Sequence, residues 1–327
     1  MYIKWGVKMA ENLENSLLFD WFSFTSKKDT VSDIIVMLGL CGVPFQETTG
    51  MHGYRSRKYY SGISIHYDRS DGTVWVEMSG QGCRAYETYS TCCDWDKLFR
   101  LLTNDIDTYN ITRLDVAYDD FTGLLDQDKI IKCLQNGYVV TKFRDYGIEG
   151  ESLKNDDCTI YLGSKKSDCY VRIYNKAAER GRDDIPHWVR WEFQFRDNHA
   201  YGFIDQYLQH DCDLGYTFLG VCNHYIRFLK PSATDSNKRR WASARWWTRF
   251  IDDVKKIKVY TPHTVEYNEA KLQNYVFGQA GQAINCAMSL YGSDGFQEYL
   301  DNYLELHKDS KNPKYQTLID NLCGVPF

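Results

Sequence analysis

Four segments in the middle of the chain alternate between apolar and polar residues, and this alternation constrains the fold more than any other feature. In 111–119, Leu114, Val116 and Tyr118 share one parity while Arg113, Asp115 and Asp119 share the other. In 157–162, Cys158, Ile160 and Leu162 oppose Asp157, Thr159 and Tyr161. In 170–176, Val171 and Ile173 oppose Tyr170, Arg172, Tyr174 and Lys176; in 187–196, Val189, Trp191, Phe193 and Phe195 oppose Arg190, Glu192, Gln194 and Arg196. Side chains of an extended strand point alternately to opposite faces, so each segment reads as a half-buried strand. One such strand alone reads more readily as the wet side of an antiparallel sheet with cross-strand ion pairs, and only the four together bring a functional face level with that reading. Four that repeat the same residue types outline a face carrying carboxylates, guanidinium groups and tyrosine hydroxyls.

The flanking segments complete an α+β pattern. A strand is expected at 17–25, a helix at 29–40 with Gly42 as its stop and Pro44 beyond, strands at 59–67 and 73–78, and a helix at 94–109. A helix at 127–134 and a strand at 138–143 join the second series; helices follow at 200–210, 241–254, 266–290 and 294–307. Strands early and helices late predict an antiparallel β-sheet covered by helices, with a helical C-terminal region. The chain divides into a lead-in at 1–16, where Met9 offers an alternative start, a β-rich half at 17–108, a second half at 109–230, and a basic, helical region at 231–327. The string LCGVPF at 40–45 and 322–327 reads as shared helix-stop chemistry rather than duplication.

The formal charge of −5 argues against a protein coated in positive charge, so any nucleic-acid contact must be local. Residues 227–258 supply such a patch, with ten Lys or Arg against three Asp. Within it, KRRWASARWWTRF (238–250) interleaves Lys238, Arg239, Arg240, Arg245 and Arg249 with tryptophans, as a segment gripping phosphates and stacking on bases would. The same string reads as an amphipathic helix burying Trp246, Trp247 and Phe250, and both can hold; Asn237 or Ser236 is placed to cap it. Eleven scattered cysteines without a C-x-x-C pair point to reduced, mostly buried thiols, not disulfides or zinc. With no apolar run of about twenty residues and no signal-peptide pattern, a cytoplasmic protein without a membrane partner is expected.

The strings ITRLDVAYDDFTG (111–123), TIYLG (159–163), YVRIYNKAAERG (170–181) and HWVRWEFQFRD (187–197) resemble the Rep_trans family of rolling-circle replication initiators. WFSFTS (21–26) and MSGQGCRAYE (78–87) are similar to N-terminal motifs of its phage-type members, so the resemblance runs from about residue 17 to 255. It implies a DNA nickase whose nucleophile is Tyr174, forming a 5′-phosphotyrosyl link after recognising a double-stranded origin and a single-stranded nick site. It also implies a divalent metal, a host helicase and polymerase as partners, and a homodimer. The residues agree: a phenol with pKa about 10 attacks phosphate poorly unless nearby cations stabilise it, and Arg172 and Lys176 lie two positions to either side. Asp115, Asp119 and Glu192 are oxygen ligands suited to Mg²⁺ or Mn²⁺. Four residues of strand put Asp115 roughly 13 Å from Asp119, which favours Asp115 with Glu192 as the core pair and Asp119 as a third. None of the eight histidines lies two from another, so the His-hydrophobe-His pair of classical nickases is absent and the resemblance expects carboxylates instead. His187 falls on the opposite face and reads as packing, with proton transfer as a lesser role. Arg113 and Arg190 join the basic segment as expected DNA contacts. Two other readings compete: a conjugative relaxase, disfavoured by the first strand starting near residue 17, and a non-catalytic DNA-binding regulator, disfavoured by the intact Tyr174, Asp115 and Glu192.

Overall fold

The alternating segments join one sheet. The computed structural model describes residues 15–150, 158–251 and 281–306. The first half supplies β1 (Ser16–Ser26), α1 (Val31–Met37), β2 (Gln46–Thr49), β3 (Ser56–Tyr60), β4 (Ile63–Tyr67), β5 (Val74–Met78), α2 (Gly80–Tyr89) and α3 (Trp95–Asn104). The second supplies β6 (Tyr109–Asp120), α4 (Gln127–Gln135), β7 (Val139–Thr141), β8 (Tyr146–Glu149), β9 (Thr159–Leu162), β10 (Cys169–Asn175) and α5 (Lys176–Glu179). It continues with β11 (Val189–Arg196), α6 (Asp197–Gln209), α7 (Leu214–Tyr225), β12 (Ile226–Phe228) and α8 (Arg245–Ile251). These elements form one compact unit; α9 (Gly281–Leu306), broken at Gly292 (φ 70), belongs to another.

The sheet has ten strands in the order β2-β3-β4-β5-β1-β6-β11-β10-β9-β8, every pairing antiparallel. The two halves are continuous through β1 and β6. The apolar parity of both halves is buried: Phe22, Phe24, Ile65, Val76, Leu114, Val116, Ile173, Trp191, Phe193 and Phe195. Helices cover that face through aromatic contacts, Phe99 on Phe22, Phe203 on Phe195, Phe218 on Phe193 and Trp247 on Trp191. Each such ring contributes roughly 1.5–3 kcal/mol by leaving water. The other face carries the polar parity, its central carboxylates buried and Trp21, Trp75, Arg172, Tyr174 and Arg196 partly exposed.

The differences from the sequence reading have local causes. The strand expected at 59–67 is a hairpin, because Ser61 (φ 43) and Gly62 (φ 87) adopt the left-handed pair that a two-residue turn requires. The stop of α1 is Gly39 (φ 65), not Gly42. β7 leaves the main sheet and pairs with β12. α2 and α7 were not foreseen; Ser79 and Asp213 cap them. Two bulges interrupt the β1–β6 register, one at Asp20, between Phe19 and Trp21, and one at Thr112. The lead-in through residue 14, most of the helix expected at 266–290, and the second LCGVPF lie outside the described residues. No described helix is long and apolar enough to cross a membrane.

Candidate functional site

Register brings the polar parities of β6, β11 and β10 together. Tyr174 lies opposite Arg190 and Arg190 opposite Asp119; Arg172 lies opposite Glu192, and Gln194 opposite Asp115. The Tyr174 hydroxyl donates to Glu192 Oε2 at 3.2 Å and accepts from Lys176 Nζ at 3.3 Å. Arg172 pairs with the other oxygen of Glu192. Lys176 is not on the strand: it opens α5, where Asn175 caps the turn, and its buried ammonium also meets Glu179 at 2.5 Å. Sequence spacing thus gave the right neighbour through a different backbone route.

Arg190 is buried and fully committed. Its guanidinium makes two bonds to Asp119, at 2.8 and 2.7 Å, and one to Asp20 at 2.9 Å. Asp20 escapes a reading by alternation because the bulge breaks parity: Phe19 faces the core while both Asp20 and Trp21 face the site. A β-carbon on Gly80 would lie 2.7 Å from Asp20 Oδ1, so the SGQG string that caps α2 also leaves room for this carboxylate. The sequence signal was an acid inside an aromatic strand.

Burial, with the Glu192 carboxylate, raises the Tyr174 phenol above its ordinary value, while Arg190 and Arg172 pull it back. Burial lowers Lys176 against the pull of Glu179. Burial pushes Asp115 up to about 7; Arg113, bonded bidentately at 2.8 and 2.6 Å, opposes this, and the neighbouring Glu192 charge reinforces it.

Asp115 and Glu192 sit diagonally on adjacent strands, close enough to raise proton affinity. Carboxylate oxygens are the donors a hard divalent cation takes, and all four here are already paired, those of Asp115 with Arg113 and those of Glu192 with Arg172 and the Tyr174 hydroxyl. Asp119 stands apart, tied to Arg190. Among the described residues no three His, Cys, Asp or Glu converge on one point. His187 lies on the far side, as parity expected, bonded at 3.2 Å to Asp120, which also accepts from the amides of Thr122 and Leu125 and so fixes the turn after β6.

The basic segment is not brought to this face. Trp247 and Phe250 are buried against Trp191, and Trp246 packs on Phe228, so its rings belong to the core and α8 lies on the helix-covered side. Lys238 bonds the Gly137 carbonyl at 2.9 Å and Arg240 pairs with Asp235, while Arg239, Arg245 and Arg249 are exposed. Asn237 caps a single 3₁₀ turn over Lys238–Arg240. Arg113 and Arg190 are held by carboxylates on the open face.

The family model described as "Replication initiation factor" matches residues 109–304, and that described as "Rolling Circle replication initiation protein N-terminal domain" matches 16–101. Over 229 residues the chain is 29% identical to "Putative DNA relaxase NicK" of Bacillus subtilis (strain 168); the alignment covers 66% of this chain and spans 64% of the relative's length. A solved rolling circle replication initiator protein from Geobacillus stearothermophilus superimposes with a TM-score of 0.66 at 31% identity, covering 76% of this chain and 100% of that one.

Proposed function

We propose, from the premise that this chain belongs to the family of rolling-circle replication initiation factors, that it nicks one DNA strand at an origin and stays joined to it through Tyr174. The observation that carries this reading is the Tyr174 hydroxyl held between the Glu192 carboxylate and the Lys176 ammonium on an open sheet face. As the phenolic oxygen bonds to phosphorus, its proton passes along the existing hydrogen bond to Glu192. The bond from phosphorus to the 3′ oxygen breaks, and that oxygen leaves with the bonding electron pair and takes a proton from water, giving a hydroxyl able to prime synthesis. Lys176, Arg172 and Arg190 stabilise the negative charge that builds on the phenolic oxygen and phosphate; being fixed in advance, they need little reorganisation. Asp115 and Glu192 are the residues that would hold Mg²⁺ or Mn²⁺, which supplies charge neutralisation at the scissile phosphate and leaving oxygen. Asp119 serves instead to anchor Arg190. Transesterification consumes no nucleotide, in keeping with a sequence that lacks a P-loop.

In this reading 17–108 recognises the duplex, 109–230 nicks it, and 231–327 adds the basic and helical region. A host helicase unwinds, a host polymerase extends, a homodimer closes the strand, and all act in the cytoplasm. Similarity to a protein named as a DNA relaxase favours a second reading, in which the same chemistry opens a transfer origin; loss of plasmid maintenance rather than mobilisation on gene deletion separates the two. The chemistry is tested on supercoiled DNA carrying the gene with its own flanking sequence, with Mg²⁺ or Mn²⁺. Relaxation and a covalent adduct are expected, both lost in Tyr174→Phe. An undiminished adduct in that variant overturns the assignment.

A further inference from the structure

The open face carries a second built feature, on the first half of the sheet. A cleft of about 400 Å³ is lined by Trp21 and Ser23 of β1, Trp75 and Glu77 of β5, Tyr54 from the loop before β3, and Arg113 and Arg196 at the meeting of β6 and β11. That volume lies at the small end of the range for ligand pockets, roughly 300–1,000 Å³. We propose that this cleft binds one unpaired nucleotide of the nicked strand, its base among Trp21, Tyr54 and Trp75 and its phosphate at Arg196. The inference rests on the nickase reading for the identity of the strand.

Three observations carry it. The rings brace one another: His66, directly across from Trp75 on β4, stacks on it at 4.4 Å and 21°, Tyr54 lies 6.1 Å from Trp75, and Arg113 covers Trp21 at 4.1 Å. His66 is buried with neither ring nitrogen hydrogen-bonded among the described residues, so its ring acts as a platform. Next, Arg113 and Arg196 are direct cross-strand partners, an arrangement that like charge disfavours. Asp115 neutralises Arg113, whereas no salt bridge involves Arg196 among the described residues, so an anion at Arg196 removes the conflict. Finally, Glu77 puts a carboxylate acceptor into the same slot as the guanidinium donors. A base with both an amino donor and a carbonyl acceptor, guanine or cytosine, satisfies both; thymine has no amino group for Glu77.

The cleft is also well placed for the strand. Trp21 pairs with Asp115, four residues along β6 from the row holding Tyr174, and β1 is three strands from β10. At about 3.4 Å per residue and 4.8 Å per strand the separation is roughly 20 Å. That distance takes about six nucleotides of stacked DNA, and fewer when the strand is stretched.

The test measures binding of oligothymidylates, plain or carrying one internal guanine, cytosine or adenine, to the full chain bearing Tyr174→Phe, so that no cleavage intervenes. Trp75→Ala is expected to weaken binding about tenfold, with Trp75→Phe restoring it. Arg196→Gln weakens binding and lowers the salt slope by about 0.7. Guanine or cytosine strengthens binding over plain thymidylate, and Glu77→Leu, which leaves no acceptor, erases that preference. Thermal unfolding identifies a Trp75→Ala protein that fails to fold, in which case Arg196→Gln, altered at a partly exposed side chain, decides alone. Parental affinity for every strand in Trp75→Ala and Arg196→Gln overturns the cleft. Adduct formation that persists without the Tyr174 hydroxyl overturns the nucleophile assignment while leaving these binding results standing.

Discussion

Around Tyr174 nearly every charge on the open face has a partner of opposite sign, whereas around Trp75 the same face is built from rings. On β6, β10 and β11, Arg113 holds Asp115, Arg172 holds Glu192, and Arg190 holds Asp119 and Asp20. On β1, β4, β5 and the loop before β3, Trp21, His66, Trp75 and Tyr54 take over. Fixed ion pairs in a buried setting suit charge that develops at one atom during a reaction, because they are oriented before it begins. Aromatic faces suit holding any base, since each presents a π surface. On the proposed reading, one sheet face separates chemistry from grip, and each half is open to a perturbation that leaves the other intact.

The largest effect is expected at Glu192. Glu192→Gln keeps the shape but removes the proton acceptor of Tyr174, and adduct formation is expected to fall about 10²–10⁴-fold. Oligothymidylate binding in the same variant stays near the parental value. If binding falls in parallel with adduct formation, the two halves are not functionally separate.

Arg190 comes next, as the cation that joins them. Arg190→Gln strands Asp119 and Asp20 in a buried setting, which costs about 3–5 kcal/mol of stability, read from the denaturant midpoint. Asp20→Asn keeps a hydrogen-bond acceptor for Arg190 and is expected to cost about tenfold in nicking with a smaller loss of stability. Gly80→Ala, which crowds Asp20, follows the same pattern. Nicking unaffected in both variants would mean that Asp20 contributes only to folding.

These residues also mark what the sequence discloses. Alternation in 111–119, 170–176 and 187–196 placed Asp115, Tyr174, Arg172, Arg190 and Glu192 on one face, because a regular strand propagates its parity faithfully. It also put His187 on the other face, where it meets Asp120. Parity failed where an extra residue enters a strand, so Asp20 and Thr112 were misplaced or missed. Trp246, Trp247 and Phe250 look alike in a string whether they stack on bases or fill a core. Only their packing on Phe228 and Trp191 distinguishes the two. The pairing of β1 with β6, which merges the two halves, depends on long-range contacts that no local pattern encodes.

A smaller effect separates the halves by pH. Burial lowers the His66 pKa to about 4, with Arg57 and His52 adding to it. The folded state prefers neutral His66, so its contribution is fully present above the unfolded value of about 6.5 and is lost as pH falls from there toward 4. A loss on the order of 2 kcal/mol across that window is expected in the parent, reduced in His66→Phe, which keeps a ring against Trp75. An identical pH profile in both proteins removes His66 as the cause.

The smallest effect belongs to α8, on the helix-covered side. Arg245 and Arg249 are exposed and form no salt bridge among the described residues, so they are free to meet phosphate but stand away from the Tyr174 hydroxyl. Replacing both with alanine is expected to lower the dependence of log affinity for duplex DNA on log salt by about 0.9 for each phosphate no longer neutralised. Nicking at saturating DNA stays unchanged, because no ion pair around Tyr174 involves them. An equal loss in nicking at saturation would show that DNA bound on the helical side shapes the reaction on the open face. The division of labour would then extend through the sheet rather than along it.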